Sequence, residues 1–392
     1  MGFVVTIALV FLGLYGVVVA LLWGLNRRWA RLPWVRRITL WTPVAAGLGT
    51  VVWRLGASLE LNWLVFGGLG VLSVLFLCLL GLTGALVLTG AVHLAEGYYD
   101  RRVYTRATVP LPERRRFLRQ SLAAVPALTT LTAGGGIFAS TTPAHLPEIQ
   151  LDFPGLPPGL EGLSILHLSD IHIGPYVRLG HLEELLQRAA ARRADLVLVT
   201  GDLCDDVPVY GDTLRLIEAL NPPLGIFACL GNHEHFRGLR RIREHFARSK
   251  VGLLVDEGMV LQRNGAPFYV GGADDPRTLR SPESYQLLQG FVEKALGDAP
   301  AGVFRILMSH RSQGLDYAAP FGVELVLAGH THGFQLGHQG RSLFETWMPE
   351  RYPWGHYRKQ SSQLYTSAGV GHWFPFRLGC PPEAPILTLR RA

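Results

Sequence analysis

Five apolar runs between residues 163 and 332 of this 392-residue chain each close on Asp, Asn or His, and no other feature limits the fold as severely. The runs are LSILHLSD, DLVLVTGD, LGIFACLGNHE, VFRILMSH and VELVLAGHTH. Short continuous apolar runs of this kind predict strands buried on both faces. Between the first two, Leu182, Leu185, Leu186 and Ala189 recur at helical spacing, with Glu183, Glu184 and Arg188 off that face. Buried strands alternating with helical stretches read as an α/β sheet covered on both faces. In open α/β sheets, ligands bind beyond the carboxyl ends of the strands. The run ends therefore converge Asp170 with His172, Asp202, Asn232 with His233, His310, and His330 with His332.

That set holds two carboxylates, one amide and five imidazoles. It exceeds what one tetrahedral zinc takes. It suits two divalent ions about 3.5–4 Å apart, with one carboxylate bridging them. Mixed nitrogen and oxygen ligation fits Mn, Fe, Zn, Co or Ni and does not select among them. The four cysteines, Cys78, Cys204, Cys229 and Cys380, form no C-x-x-C pair, so they do not point to a thiolate metal site.

Residues 164–389 resemble a calcineurin-like metallophosphoesterase. The blocks that carry the likeness come in order: D-x-H at Asp170 and His172, G-D at Gly201 and Asp202, G-N-H-E at Gly231 to Glu234, His310, and G-H-x-H at Gly329 to His332. GADDP (Gly272 to Pro276), AGHTHGFQ and the late GCPPE (Gly379 to Glu383) are similar to the bacterial membrane-anchored or exported branch. The resemblance implies a four-layer α/β/β/α sandwich. It implies Asp170, His172 and His332 as ligands of one metal, Asn232, His310 and His330 as ligands of the other, and Asp202 as the bridge. It further implies a metal-bridging hydroxide that attacks phosphorus, with His233 serving the leaving group. Asp206, Asp275 and Glu234 are candidates for orienting the histidines.

Several positions depart from the family pattern. Arg311 follows His310, and Phe334 stands in GFQ. Either Arg311 approaches a substrate phosphate or it is a surface arginine. Arg377 presents the same choice. His235, His356 and His372 read as ordinary loop histidines.

The first 144 residues have a different character. They hold 13 Arg, no Lys and only Glu60, Glu96, Asp100 and Glu113, a balance of +9, whereas the remainder is −2. The basic excess thus lies away from the strand-end cluster, and no nucleic-acid surface is implied. Apolar stretches near 3–25, 39–57, 63–94 and 121–140 predict an all-α transmembrane anchor of about four helices. Arginines crowd the first and third connections, which places everything after residue 140 outside the cytoplasm. Arg114 to Gln120, RRRFLRQ, resembles a twin-arginine export signal. No charge sits mid-span, so the spans read as an anchor and not as a transport path. Residues 141–162, rich in Pro and Gly, read as an extended linker, and 163–392 as the enzyme domain.

The expected protein is a membrane-anchored two-metal phosphoesterase outside the cytoplasm. Its substrates would be phosphomono- or diesters, including lipid-linked or cell-envelope ones. A cytoplasmic-face nucleotide-lipid pyrophosphatase is the alternative, which the topology disfavours. A catalytically silent scaffold with the same fold is the other, which the complete ligand set disfavours.

Overall fold

The computed structural model describes residues 2–25, 30–59, 61–103, 131–132, 134–174, 176–347, 351–372 and 374–392. The chain divides into two compact units, Met1–Phe138 and Ala139–Ala392.

The first unit is helical, with helices over Gly2–Leu25, Pro33–Ser58 and Asn62–Val103. Among the described residues, no helix is long and apolar enough to cross a membrane. This corrects the expected all-α transmembrane region of about four helices. Two features explain the correction. The helix Pro33–Ser58 carries Arg36, Arg37 and Arg54, all exposed. The stretch near 63–94 belongs to one continuous 42-residue helix, Asn62–Val103, whose end carries Asp100, Arg101 and Arg102. The RRRFLRQ stretch, and most of the segment 121–140, lie outside the described residues.

The second unit is built on two six-stranded sheets. The strands are β1 (Glu148–Phe153), β2 (Ser164–Leu168), β3 (Leu196–Thr200), β4 (Ile226–Cys229), β5 (Gly252–Leu253), β6 (Glu257–Arg263) and β7 (Ala266–Ala273). They continue as β8 (Phe304–Ser309), β9 (Leu325–Ala328), the short hairpin β10 (Gly337–His338) and β11 (Arg341–Ser342), then β12 (Gly355–Lys359), β13 (Ser362–Thr366) and β14 (Ile386–Arg391). One sheet runs β1-β14-β2-β3-β4-β5 and the other β12-β13-β9-β8-β7-β6.

Alternation along each strand divides its side chains between two cores. Leu196 and Leu198 of β3 point between the sheets, where they join Ile306 and Met308 of β8 and Leu325 and Leu327 of β9. Val197 and Val199 face outward, against Leu182, Leu185 and Leu186 of the helix Leu179–Ala190. On the other side, Leu307 and Val326 pack on Leu288 and Val292 of the helix Pro282–Gly297. The result is an α/β/β/α sandwich. The periodicity alone suggested one sheet covered on both faces. The structure instead places three of the five apolar runs in one sheet and two in the other.

Residues 141–162, read as an extended linker, are part of this core. They supply β1, paired in parallel with β14, and the buried Leu151, Phe153, Leu156 and Leu160. Cys204, Cys229 and Cys380 are buried free thiols.

Candidate metal centre

Strands β2, β3 and β4 are mutually parallel, and so are β8 and β9. Each strand ends as its ligand-bearing loop begins. The carboxyl ends of the two sheets meet there, because His310 Nδ1 donates to Thr200 O at 2.7 Å and His330 N donates to Asp170 Oδ2 at 2.9 Å. Five of the eight residues adopt left-handed backbone: Asp170 (φ 50°), His172 (49°), Asp202 (54°), His330 (72°) and His332 (51°). Such geometry costs about 1–3 kcal/mol per residue and persists only where its surroundings enforce it. The motif glycines permit the crowding. A Cβ on Gly329 would sit 2.0 Å from Asp170 Oδ2, and one on Gly231 would sit 2.2 Å from Asp202 Oδ1.

Among the described residues three groups could hold a metal ion, one of them His172, Asp205 and His233, and the other two are built from the strand-end residues alone. Asp170, His172 and His332 place ligand atoms within 4.8 Å of one another, and so do Asp202, His310 and His330. Asn232 Oδ1 joins the second cluster, 3.1 Å from His310 Nε2. Asp202 Oδ2 lies between the two, 3.3 Å from His310 Nε2 and 3.7 Å from His172 Nε2. His233 stands at the open side, its Nε2 3.9 Å from the same oxygen.

The donor set fits cations. With its Nδ1 proton on Thr200 O, a neutral His310 turns its Nε2 lone pair toward Asp202 Oδ2, Asn232 Oδ1 and, at 3.2 Å, His330 Nδ1. Likewise His172 Nδ1 lies 3.2 Å from Asp205 Oδ2, which leaves its Nε2 3.2 Å from His332 Nε2. Burial, then the nearby charge of Arg311, holds His330 neutral, and burial does so for His332. Neutral imidazole is the form that binds metal. Burial pulls the His310 imidazolium down, but the Asp202 charge and hydrogen bond outweigh it and push the group up to about 10. A proton here stands where the converging lone pairs call for a cation.

Asp205 was missed from sequence. Its Oδ1 is 2.6 Å from His233 Nδ1, while its Oδ2 holds His172, so one carboxylate orients a residue of the first cluster and the residue at the open side. Burial raises the Asp205 carboxyl, but hydrogen bonds and charge from His172 and His233 outweigh it and hold the group below the usual carboxylate range. The available signal was its position three residues after Asp202, in a loop that pairs with 171–173 through Ile173 N to Leu203 O and Asp205 N to Ile173 O. Asp205→Asn is expected to lower kcat/KM roughly 10–100-fold, as orienting partners of this kind do. Asp205 helps hold the His233 proton, so the alkaline limb of the pH–rate profile moves to lower pH in the variant. An unmoved limb would show that Asp205 does not act on His233.

Glu234 has a different task from orienting histidines. Its carboxylate accepts from Gly231 N at 2.8 Å and from Asp202 N and Leu203 N at 2.9 Å each, tying two ligand loops together. It is fully buried. Glu234→Gln turns an amide N–H₂ toward these donors and is expected to destabilise the unit by about 2–4 kcal/mol, read by denaturant unfolding.

Both uncertain arginines are buried. Arg311 Nε donates to Asp275 Oδ2 at 2.7 Å, and its Nη1 abuts His330 Nε2. Arg377 Nη2 donates to Ala368 O at 2.8 Å and Gly371 O at 2.7 Å, fastening the loop behind His332. The surface-arginine reading therefore fails for both. Glu383 of GCPPE holds the same loop, accepting from Ala368 N at 2.9 Å and Trp354 Nε1 at 3.0 Å. His235 pairs with Asp274, His356 with Gln363, and His372 stacks on Tyr176. Phe334 packs edge-on against Phe344.

Residues 163–334 match the family model described as Calcineurin-like phosphoesterase. A metallophosphoesterase of Aquifex aeolicus is 34% identical over 243 residues, covering 60% of this chain and 87% of the relative. Phosphodiesterase YaeI of Escherichia coli is 25% identical, covering 70% of this chain and 98% of its own length. A Bos taurus relative named as a transmembrane protein with a metallophosphoesterase domain is 26% identical, covering 73% of this chain and 66% of its own length. The chain belongs to the calcineurin-like phosphoesterase family. It is a metal-dependent phosphoester hydrolase with a binuclear divalent metal centre.

Proposed function

We propose that Asp170, His172 and His332 hold one metal ion, that Asn232, His310 and His330 hold the other, and that Asp202 bridges them. The observation that carries this reading is the position of Asp202 Oδ2 between two groups of residues whose ligand atoms converge. Bound divalent ions supply Lewis-acid polarisation of the phosphoryl group and a water of lowered pKa. The chain does the rest. The strained ligand loops fix the clusters before substrate arrives, which lowers the cost of reorganisation during reaction. Asp205 holds His233 with Nδ1 protonated and Nε2 facing the clusters. Burial lowers the His233 imidazolium, but Asp202 and Asp205 outweigh it and lift the group to about 9. With Asp205 at its Nδ1, His233 is placed to deliver a proton from Nε2 to the leaving oxygen as a general acid.

Phosphodiesters are the favoured substrate class, in keeping with the name of the E. coli relative. The first unit supports action on lipid-linked or cell-envelope esters at a membrane surface. It carries the arginine excess and exposes large apolar side chains, among them Leu40, Trp41, Leu48 and Leu94. Exposed apolar patches of this extent mark interaction surfaces, and two relatives are named as transmembrane proteins. Full-length protein, stripped of metal and reloaded with Mn²⁺, is expected to cleave bis-p-nitrophenyl phosphate faster than p-nitrophenyl phosphate. A preference for the monoester would remove the diester reading. A periplasmic-type reporter fused after Ala392 tests location: activity only inside the cell would remove the extracytoplasmic reading.

A further inference from the structure

Behind the first cluster runs a buried chain of hydrogen bonds. Ser169 Oγ donates to Asp170 Oδ2 at 2.5 Å, Thr200 Oγ1 donates to Ser169 Oγ at 2.8 Å, and His167 Nε2 lies 2.9 Å from Thr200 Oγ1. Asp170, Ser169, Thr200 and His167 are each fully buried. A hydroxyl has one proton to give. The proton of Ser169 is committed to the carboxylate, so its lone pair receives the proton of Thr200. The Thr200 oxygen then needs a donor, and His167 Nε2 is in place to be one. The ring is therefore the Nε2–H tautomer. His167 Nδ1 fits this assignment. It is buried with no partner among the described residues, and a bare acceptor is tolerated there more readily than an orphaned N–H. Burial pulls the His167 imidazolium down to about 3, so the ring is neutral.

We propose that His167, Thr200 and Ser169 form a one-way hydrogen-bond wire that selects which oxygen of Asp170 is presented to the first metal ion. Oδ2 alone takes the Ser169 proton, while His330 N is shared between the two oxygens, 2.9 Å from Oδ2 and 3.1 Å from Oδ1. Oδ1 is turned to the cluster, 3.4 Å from His332 Nε2 and 3.8 Å from His172 Nε2. His167 is thus a positioning residue that acts through two hydroxyls on a ligand it does not touch. Thr200 divides its duties: its hydroxyl serves the first cluster, while its carbonyl fixes His310 in the second. The wire therefore acts on the first metal site through a side-chain ligand, and touches the second only through the backbone N of His330 and the Thr200 carbonyl. This inference rests on the reading of Asp170 as a ligand.

The test is Mn²⁺ titration into metal-free full-length protein, following free Mn²⁺ by electron paramagnetic resonance. His167→Phe and Ser169→Ala are each expected to weaken one of two binding events about 10–100-fold and leave the other unchanged. The double variant is expected to be no weaker than the stronger single one, and His167→Gln, which restores a donor, to recover part of the loss. Nitrogen-15 spectra of the metal-free wild type are expected to show His167 protonated at Nε2 alone. A proton on Nδ1 overturns the wire whether or not the variants fold. Equal weakening at both sites, or none in either folded variant, also overturns it. Asp170→Asn separates the two levels of the argument. If it leaves both Mn²⁺ events intact, the ligand reading fails. If it removes one event that His167→Phe and Ser169→Ala do not weaken, the wire alone fails.

Discussion

Asp202→Asn is expected to lower kcat by roughly 10³-fold or more while the protein stays folded. The asymmetry between the two carboxylate oxygens gives the reason. Oδ1 accepts from His233 N at 2.9 Å, and an asparagine carbonyl takes over that role unchanged. The amide N–H₂ then has to occupy the place of Oδ2. There it turns hydrogens toward His310 Nε2 at 3.3 Å and His172 Nε2 at 3.7 Å. The substitution removes a negative charge and aims donors at the point where two cations would share a ligand. Metal content should fall with activity, and the unfolding midpoint should change little. Near-wild-type turnover in the asparagine variant would rule out Asp202 as the bridge.

His233→Asn is expected to lower kcat about 10²–10⁴-fold on esters whose leaving group needs a proton, and far less on p-nitrophenyl esters, whose leaving group departs as a stable anion. Metal stoichiometry should be unchanged, since His233 belongs to neither proposed ligand set and its side chain is 18% exposed. The sign of the pH effect follows from its position. A general acid is lost as pH rises and Asp205, 2.6 Å from Nδ1, favours the protonated ring, so the wild-type rate on alkyl esters should fall on the alkaline side and the variant should lack that limb. Equal losses on alkyl and nitrophenyl esters would assign His233 to binding and not to proton delivery.

The ligand set was legible because each member sits at or just past a strand end, within a few residues of an apolar run. Asp202, for example, follows β3 by two residues, and His310 follows β8 directly. Asp205 was hidden because GDLCDD offers three acids, and only the backbone pairing of the loops after β2 and β3 singles it out. The split into two sheets was equally hidden. Strands such as β3 and β8 are buried on both faces, so their sequences show no polar–apolar alternation to reveal which partner lies on which side. Arg311 and Arg377 were misread for a general reason: arginine is mostly exposed, and only the tertiary fold supplies the Asp275 carboxylate and the loop carbonyls that let these two be buried. The helical unit was misjudged in part because Arg36 and Arg37, assigned to the first connection, lie within the helix Pro33–Ser58.

The most direct test of the two-metal account is a titration of metal-free full-length protein with Mn²⁺, measuring bound ions and diester hydrolysis in the same samples. The account predicts two ions per chain, with activity absent in the metal-free protein and complete only as the second site fills. A single ion at full activity, or turnover that persists in the metal-free protein, would contradict it.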